Sequence, residues 1–135
     1  MKALAAIALL ALALAPACVY GASAEEDSVA VGIHHSRFSP ARFSFKEGDT
    51  VKFVLHNDDP IDHEFILGDA ATQKKHEVGR DRHHHGEVPG EVSVPAGETR
   101  TTTYTFSEAG TLIIGCHLPG HFAYGMRGSV VVTSP

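Results

Sequence analysis

Apolar and polar positions alternate with a period of two along most of this chain from Ser28 onward, the pattern of strands with one buried face. Residues 28–34 read S-V-A-V-G-I-H, with β-branched side chains at alternate positions. After a break at 36–40, residues 42–45 place Phe43 and Phe45 on one side. Residues 50–56 direct Val51, Phe53 and Leu55 inward, and residues 61–67 put His63 and Phe65 on a common face. Further strands are predicted over 91–94, 99–106, 111–116 and 127–133, the second of them rich in threonine and aromatics. Turns separate them at 46–49, where Gly48 suits a positive φ, and at 57–60, 95–98 and 107–110, the last read as a hairpin turn. From 68 to 90 the alternation dissolves into a long polar stretch, within which 70–78 can form a short helix. The expected fold is all-β: a Greek-key β-sandwich of seven to eight strands with a long polar insertion.

The first 24 residues fall outside that pattern. A short positive start, an unbroken apolar run from Ala3 to Ala15 and Ala22-Ser23-Ala24 predict a signal peptide cleaved before Glu25. The run is too short to span a bilayer, so no membrane span is expected. Export to a periplasm follows, with a lipid anchor at Cys18 as the minor alternative. The single domain is then 25–135, expected to be a monomer. The full chain carries a formal charge of −5, and losing Lys2 makes it more acidic. That balance argues against nucleic acid as a partner and suits cations or basic proteins.

Chemistry concentrates in residues 115–128, G-C-H-L-P-G-H-F-A-Y-G-M-R-G. Without the leader, Cys116 is the sole cysteine and Met126 the sole methionine, and His121 lies midway between them. An unpaired thiol in an oxidising compartment calls for a partner chain, a reactive role or a metal. Thiolate, imidazole and a weak thioether form the ligand set of a blue-type copper centre. A further imidazole is needed, and His63, on a predicted strand, is the best candidate, with His56 as substitute. The sequence separation of His63 and Cys116 predicts that the pair ties two sheets together at one end of the sandwich. Other readings of Cys116 stay open: a small buried residue, a nucleophile activated by His117 or His121, or a zinc ligand, although zinc has no use for Met126.

Cys-x4-His-x4-Met, preceded by A-G-T-L-I-I-G, followed by G-S-V-V-V and joined by the upstream H-E-F, resembles the C-terminal motif of cupredoxins. The ligand spacing is similar to that of auracyanins and of the copper domains of multicopper oxidases. The histidine-bearing insertion is similar to small periplasmic cupredoxins linked to copper tolerance. The resemblance implies one type 1 copper held by His63, Cys116, His121 and Met126, with no substrate transformed. It also implies electron transfer with a redox protein partner, a cytochrome or copper enzyme, through a docking patch of Leu118, Pro119 and Phe122. The alternative is copper tolerance, sequestration or delivery, with His76, His83, His84 and His85 as an auxiliary metal site. Two positions depart from the family pattern: Glu64 stands where many members have asparagine, a bracing role Asn57 can assume, and Leu112 stands where an aromatic is frequent. His117, beside the cysteine, is expected to face solvent or make a structural hydrogen bond.

Overall fold

The computed structural model describes residues 27–79 and 88–135; the leader and the histidine run at 83–85 lie outside the described residues. Nine strands and one helix follow in order: β1 Asp27–Ile33, β2 Phe38–Ser39, β3 Arg42–Lys46, β4 Thr50–Asn57, β5 His63–Gly68, α1 Ala70–Val78, β6 Glu91–Val94, β7 Thr99–Thr105, β8 Gly110–Gly115 and β9 Arg127–Thr133. They form a four-stranded sheet, β2-β1-β4-β7, and a five-stranded sheet, β3-β9-β8-β5-β6. The pairs β1–β4 and β3–β9 are parallel, and the remaining pairs are antiparallel.

The core forms where the inward faces of the two sheets meet. Val51, Phe53 and Leu55 of β4 are fully buried, as the alternation requires, and face Phe65 of β5, Val94 of β6 and Val130 of β9 within one apolar cluster. Phe53 packs 5.2 Å from Phe65 and edge-on to Phe43 and Phe45, so aromatic contacts join the sheets across the layer. β5 is buried at all six positions. Its core face carries His63, Phe65 and Leu67, while Glu64 and Ile66 alternate onto the other face, and Gln73 of the helix that follows bonds Ile66 O. That helix starts at Asp69, whose side chain accepts the amide of Thr72 at 2.8 Å.

Three local expectations need correction. The strand beyond the expected eight is the two-residue β2, in the stretch read as a break. The chain reverses before it through His35 and Ser36 at φ 49° and 53°, positions where no glycine signals a turn. Residues 107–110 are not a hairpin turn, because β7 and β8 belong to different sheets. Phe106 folds inward after β7, buried and stacked 4.8 Å from Phe45, and its amide donates to Asp49 O, so the chain crosses the sandwich there. Lastly, His63 and Cys116 do not tie two sheets together. β5 and β8 are direct neighbours, with Ile66 opposite Gly115.

Candidate metal centre

Cys116 follows the last residue of β8, and His63 opens the neighbouring β5. The pairing of those strands brings both to one end of the five-stranded sheet. His121 arrives on the loop between β8 and β9, which a ladder of backbone hydrogen bonds shapes: His121 to Leu118 O, Tyr124 to Gly120 O, Gly125 to Phe122 O and Met126 to His121 O. Gly120 and Gly125 adopt φ of 84° and 99°, which side-chain-bearing residues rarely enter. The loop closes on its own start, since the Cys116 amide donates to Met126 O at 3.2 Å.

His63, Cys116 and His121 converge, with one possible ligand atom of each within 4.8 Å of the others. The Nδ1 atoms of His63 and His121 are 3.3 Å apart, and Cys116 Sγ lies 3.2 Å from His121 Nδ1. Among the described residues this is the one group of three or more histidine, cysteine or carboxylate side chains so gathered. Cys116, His63 and Met126 are fully buried, and His121 is half-buried. Met126 joins the apolar core cluster, its backbone tied to Cys116 and His121. His56 is excluded as a substitute: its ring faces outward, bonded to Thr99 Oγ1 at 2.8 Å and paired with Asp58 at 3.0 Å.

Burial pushes the Cys116 thiol up to about 11, against the pull of the Glu64 and Leu118 amides, while the Glu64 carboxylate raises it further. The metal-free thiol is therefore protonated at neutral pH, and a metal binding there releases its proton. His121 lies below the ordinary histidine value because burial and then His63 disfavour its charged form, against Asp59. His117 is lowered by burial and then by His76, against Glu77. Both rings are thus neutral near pH 7, the form that donates a lone pair. A thiol and two imidazoles converging in a largely dry space, with a thioether on the same loop, fit copper better than a hard cation.

The depressed histidines set a pH dependence. A group lowered on folding contributes stability above its unfolded value of 6.5, lost as pH falls through the folded one. The metal-free protein is expected to unfold at lower denaturant concentration at pH 5 than at pH 7.5. A midpoint unchanged or higher at pH 5 would contradict this.

Polar residues that the sequence did not single out surround the site. Asp59, almost fully buried, places Oδ2 2.8 Å from His63 Nε2 and accepts the amides of His35 and Ser36, both at 2.7 Å. Burial opposes its charge, but the Ser36 amide, His63 and the His35 amide outweigh it and hold the carboxyl below its ordinary value. Asn57 braces the segment before β5 and the end of β6, and not the 115–128 loop: its Nδ2 donates to Ile61 O, Val94 O and Pro95 O, and its Oδ1 accepts the Asp59 amide at 3.0 Å. Glu64 accepts the His117 amide at 3.3 Å, and its own amide donates to Cys116 Sγ at 3.4 Å, so this residue ties β5 to the start of the 115–128 loop.

His117 takes the structural option. Its Nε2 lies 2.7 Å from Gln73 Oε1, and its ring stacks on Phe122 at 4.7 Å. Gln73, buried on α1, also donates to Ile66 O of β5 and Ile113 O of β8, so the helix of the insertion clamps the two strands from which His63 and Cys116 are presented. His76 pairs with Glu91 at 3.0 Å and is not gathered with the three ligand candidates. His83, His84 and His85 fall outside the described residues. Leu118, Pro119 and Phe122 line a surface cleft of about 230 Å³ together with Glu77, His117, Gly120 and Ala123. Among the described residues no helix is long and apolar enough to cross a membrane.

The model of the copper binding proteins of the plastocyanin/azurin family matches residues 25–133. A copper-resistant cuproprotein CopI from Rubrivivax gelatinosus is 41% identical over 100 residues, covering 71% of this chain and 59% of that protein. Another of that name from Pseudomonas aeruginosa is 30% identical over 136 residues, covering 78% and 75%. The chain thus spans less than two thirds of the Rubrivivax relative. Among solved structures, auracyanin A from Chloroflexus aurantiacus superposes with a TM-score of 0.63 at 23% identity, covering 78% of this chain and 98% of that one. Reduced auracyanin from Roseiflexus castenholzii gives 0.65 at 18%, covering 80% and 98%, and both likenesses concern the fold.

Proposed function

The chain belongs to the plastocyanin/azurin family of copper-binding proteins, and from that premise we propose that it serves copper tolerance in the periplasm, binding one copper at a type 1 centre. The observation that carries the reading is the convergence of His63, Cys116 and His121. These three would hold the metal, with Met126 as the weak fourth ligand. Bound copper would supply a one-electron couple between Cu(II) and Cu(I). The protein's own contribution is to hold the donors in place, His63 and Cys116 buried at the ends of adjacent strands and His121 on the loop between β8 and β9. It transforms no substrate itself.

The names of the relatives favour tolerance over electron transfer as the main task. Electron exchange with a redox protein partner is the second reading, favoured by the cleft over Leu118, Pro119 and Phe122 beside His121. The test is complementation. A strain lacking the protein should grow poorly in elevated copper, and the wild-type chain should rescue it while Cys116→Ser should not. Equal rescue by both would remove the site from the tolerance role. Normal growth of the deletion strain would favour electron transfer.

A further inference from the structure

Asp59 stands directly behind His63, on the side away from Cys116 and His121. A carboxylate only accepts hydrogen bonds, so the 2.8 Å contact to Oδ2 requires the proton of His63 to sit on Nε2. The lone pair is then on Nδ1, the atom 3.3 Å from His121 Nδ1. The carboxylate is itself firmly held. The amides of His35 and Ser36 converge on it from a left-handed turn, and Asn57 Oδ1 takes its backbone amide. The other titratable side chain facing it is His34, whose Nδ1 is 4.0 Å away on an exposed ring. Among the described residues no lysine or arginine pairs with it, so its negative charge is held by neutral backbone dipoles and is not cancelled by a side-chain cation.

We propose that Asp59 is a positioning residue of the metal centre: it locks His63 as the Nε2–H tautomer with Nδ1 open to the metal, and its charge favours the oxidised copper over the reduced one. The proposal rests on the copper reading above. A hydrogen-bonded carboxylate makes the opposite ring nitrogen a stronger base, and a fixed negative charge close to the site stabilises the more positive ion more. The left-handed turn at 35–36 follows from the same arrangement, since it delivers two consecutive amides to one carboxylate.

The test compares the wild type with Asp59→Asn and Asp59→Ala. In the metal-free protein, nitrogen-15 correlation spectra of the imidazoles should show His63 as the pure Nε2–H tautomer in the wild type and as a mixture in Asp59→Ala. Chelator competition with copper salts should show Cu(II) affinity falling about 10–100-fold in Asp59→Ala. In Asp59→Asn, which keeps a side-chain oxygen but not the charge, Cu(II) affinity should fall more than Cu(I) affinity, so the reduction potential rises. A wild-type His63 protonated at Nδ1, or an Asp59→Asn variant whose two affinities change equally, would overturn the proposal. If the wild type takes up no copper, the copper reading fails separately. The tautomer spectra, which need no metal, then decide the positioning role, and the Asn variant keeps that decision open should the Ala variant fail to fold.

Discussion

Cys116→Ser is expected to abolish the intense visible absorption that the copper-loaded protein should show, because that band arises from thiolate-to-copper charge transfer and Cys116 is the one free cysteine among the described residues. Serine is close in size and its oxygen can still take the Glu64 amide, so the fold should survive at a cost of about 1–3 kcal/mol for burying a hydroxyl. Copper affinity should fall by more than the about 10–100-fold typical of losing an outer partner, since a direct ligand is removed. The measurement is a visible titration with Cu(II) beside far-ultraviolet circular dichroism. A band that persists in the folded variant would place the chromophore elsewhere.

The second large effect concerns stability. Asn57 is fully buried at the end of β4 and satisfies four backbone groups: three carbonyls, Ile61, Val94 and Pro95, and the amide of Asp59. Asn57→Ala strands the two buried groups, Val94 O and the Asp59 amide, whereas Pro95 O keeps the Glu98 amide and Ile61 O lies in a part-buried position that water can reach. Each buried polar group stranded in this way costs about 1–3 kcal/mol, and partial relaxation keeps the total below the full sum, so about 2–4 kcal/mol is expected. Denaturant unfolding of the metal-free protein measures it. A loss under about 1 kcal/mol would show that water or a shifted loop satisfies those groups.

These two residues also mark what can and cannot be read from the chain. Cys116, His121 and Met126 announce themselves because their chemistry is rare and their spacing local. β4 is equally legible, since Val51, Phe53 and Leu55 follow the period of the pleat and nothing competes with it. Even α1 is readable as a short helix where the alternation is lost, and the structure adds its Asp69 cap. Asn57, Asp59 and Gln73 are another matter. Each is an ordinary polar residue in a polar stretch, and its importance comes from partners distant in sequence, such as Ser36 for Asp59 and Ile113 for Gln73. Periodicity records which face of a strand is buried but not which sheet the strand joins. For that reason the pattern predicts a hairpin where the chain crosses between sheets at Phe106, and a contact between sheets where β5 and β8 are neighbours in one. The turn at His35 and Ser36 was hidden for a related reason. Its left-handed geometry is maintained by the Asp59 carboxylate, and glycine is not needed there.

The fold therefore does two things for the site. Strand pairing sets His63 beside Cys116, and a buried polar frame of Asp59, Asn57 and Gln73 fixes the rings and strands around them. Loading the protein with one equivalent of copper and recording X-ray absorption at the copper edge tests the central claim most directly. The account predicts one thiolate sulfur and two imidazoles in the inner shell of the metal. A shell of nitrogen and oxygen alone, with no sulfur, would contradict it.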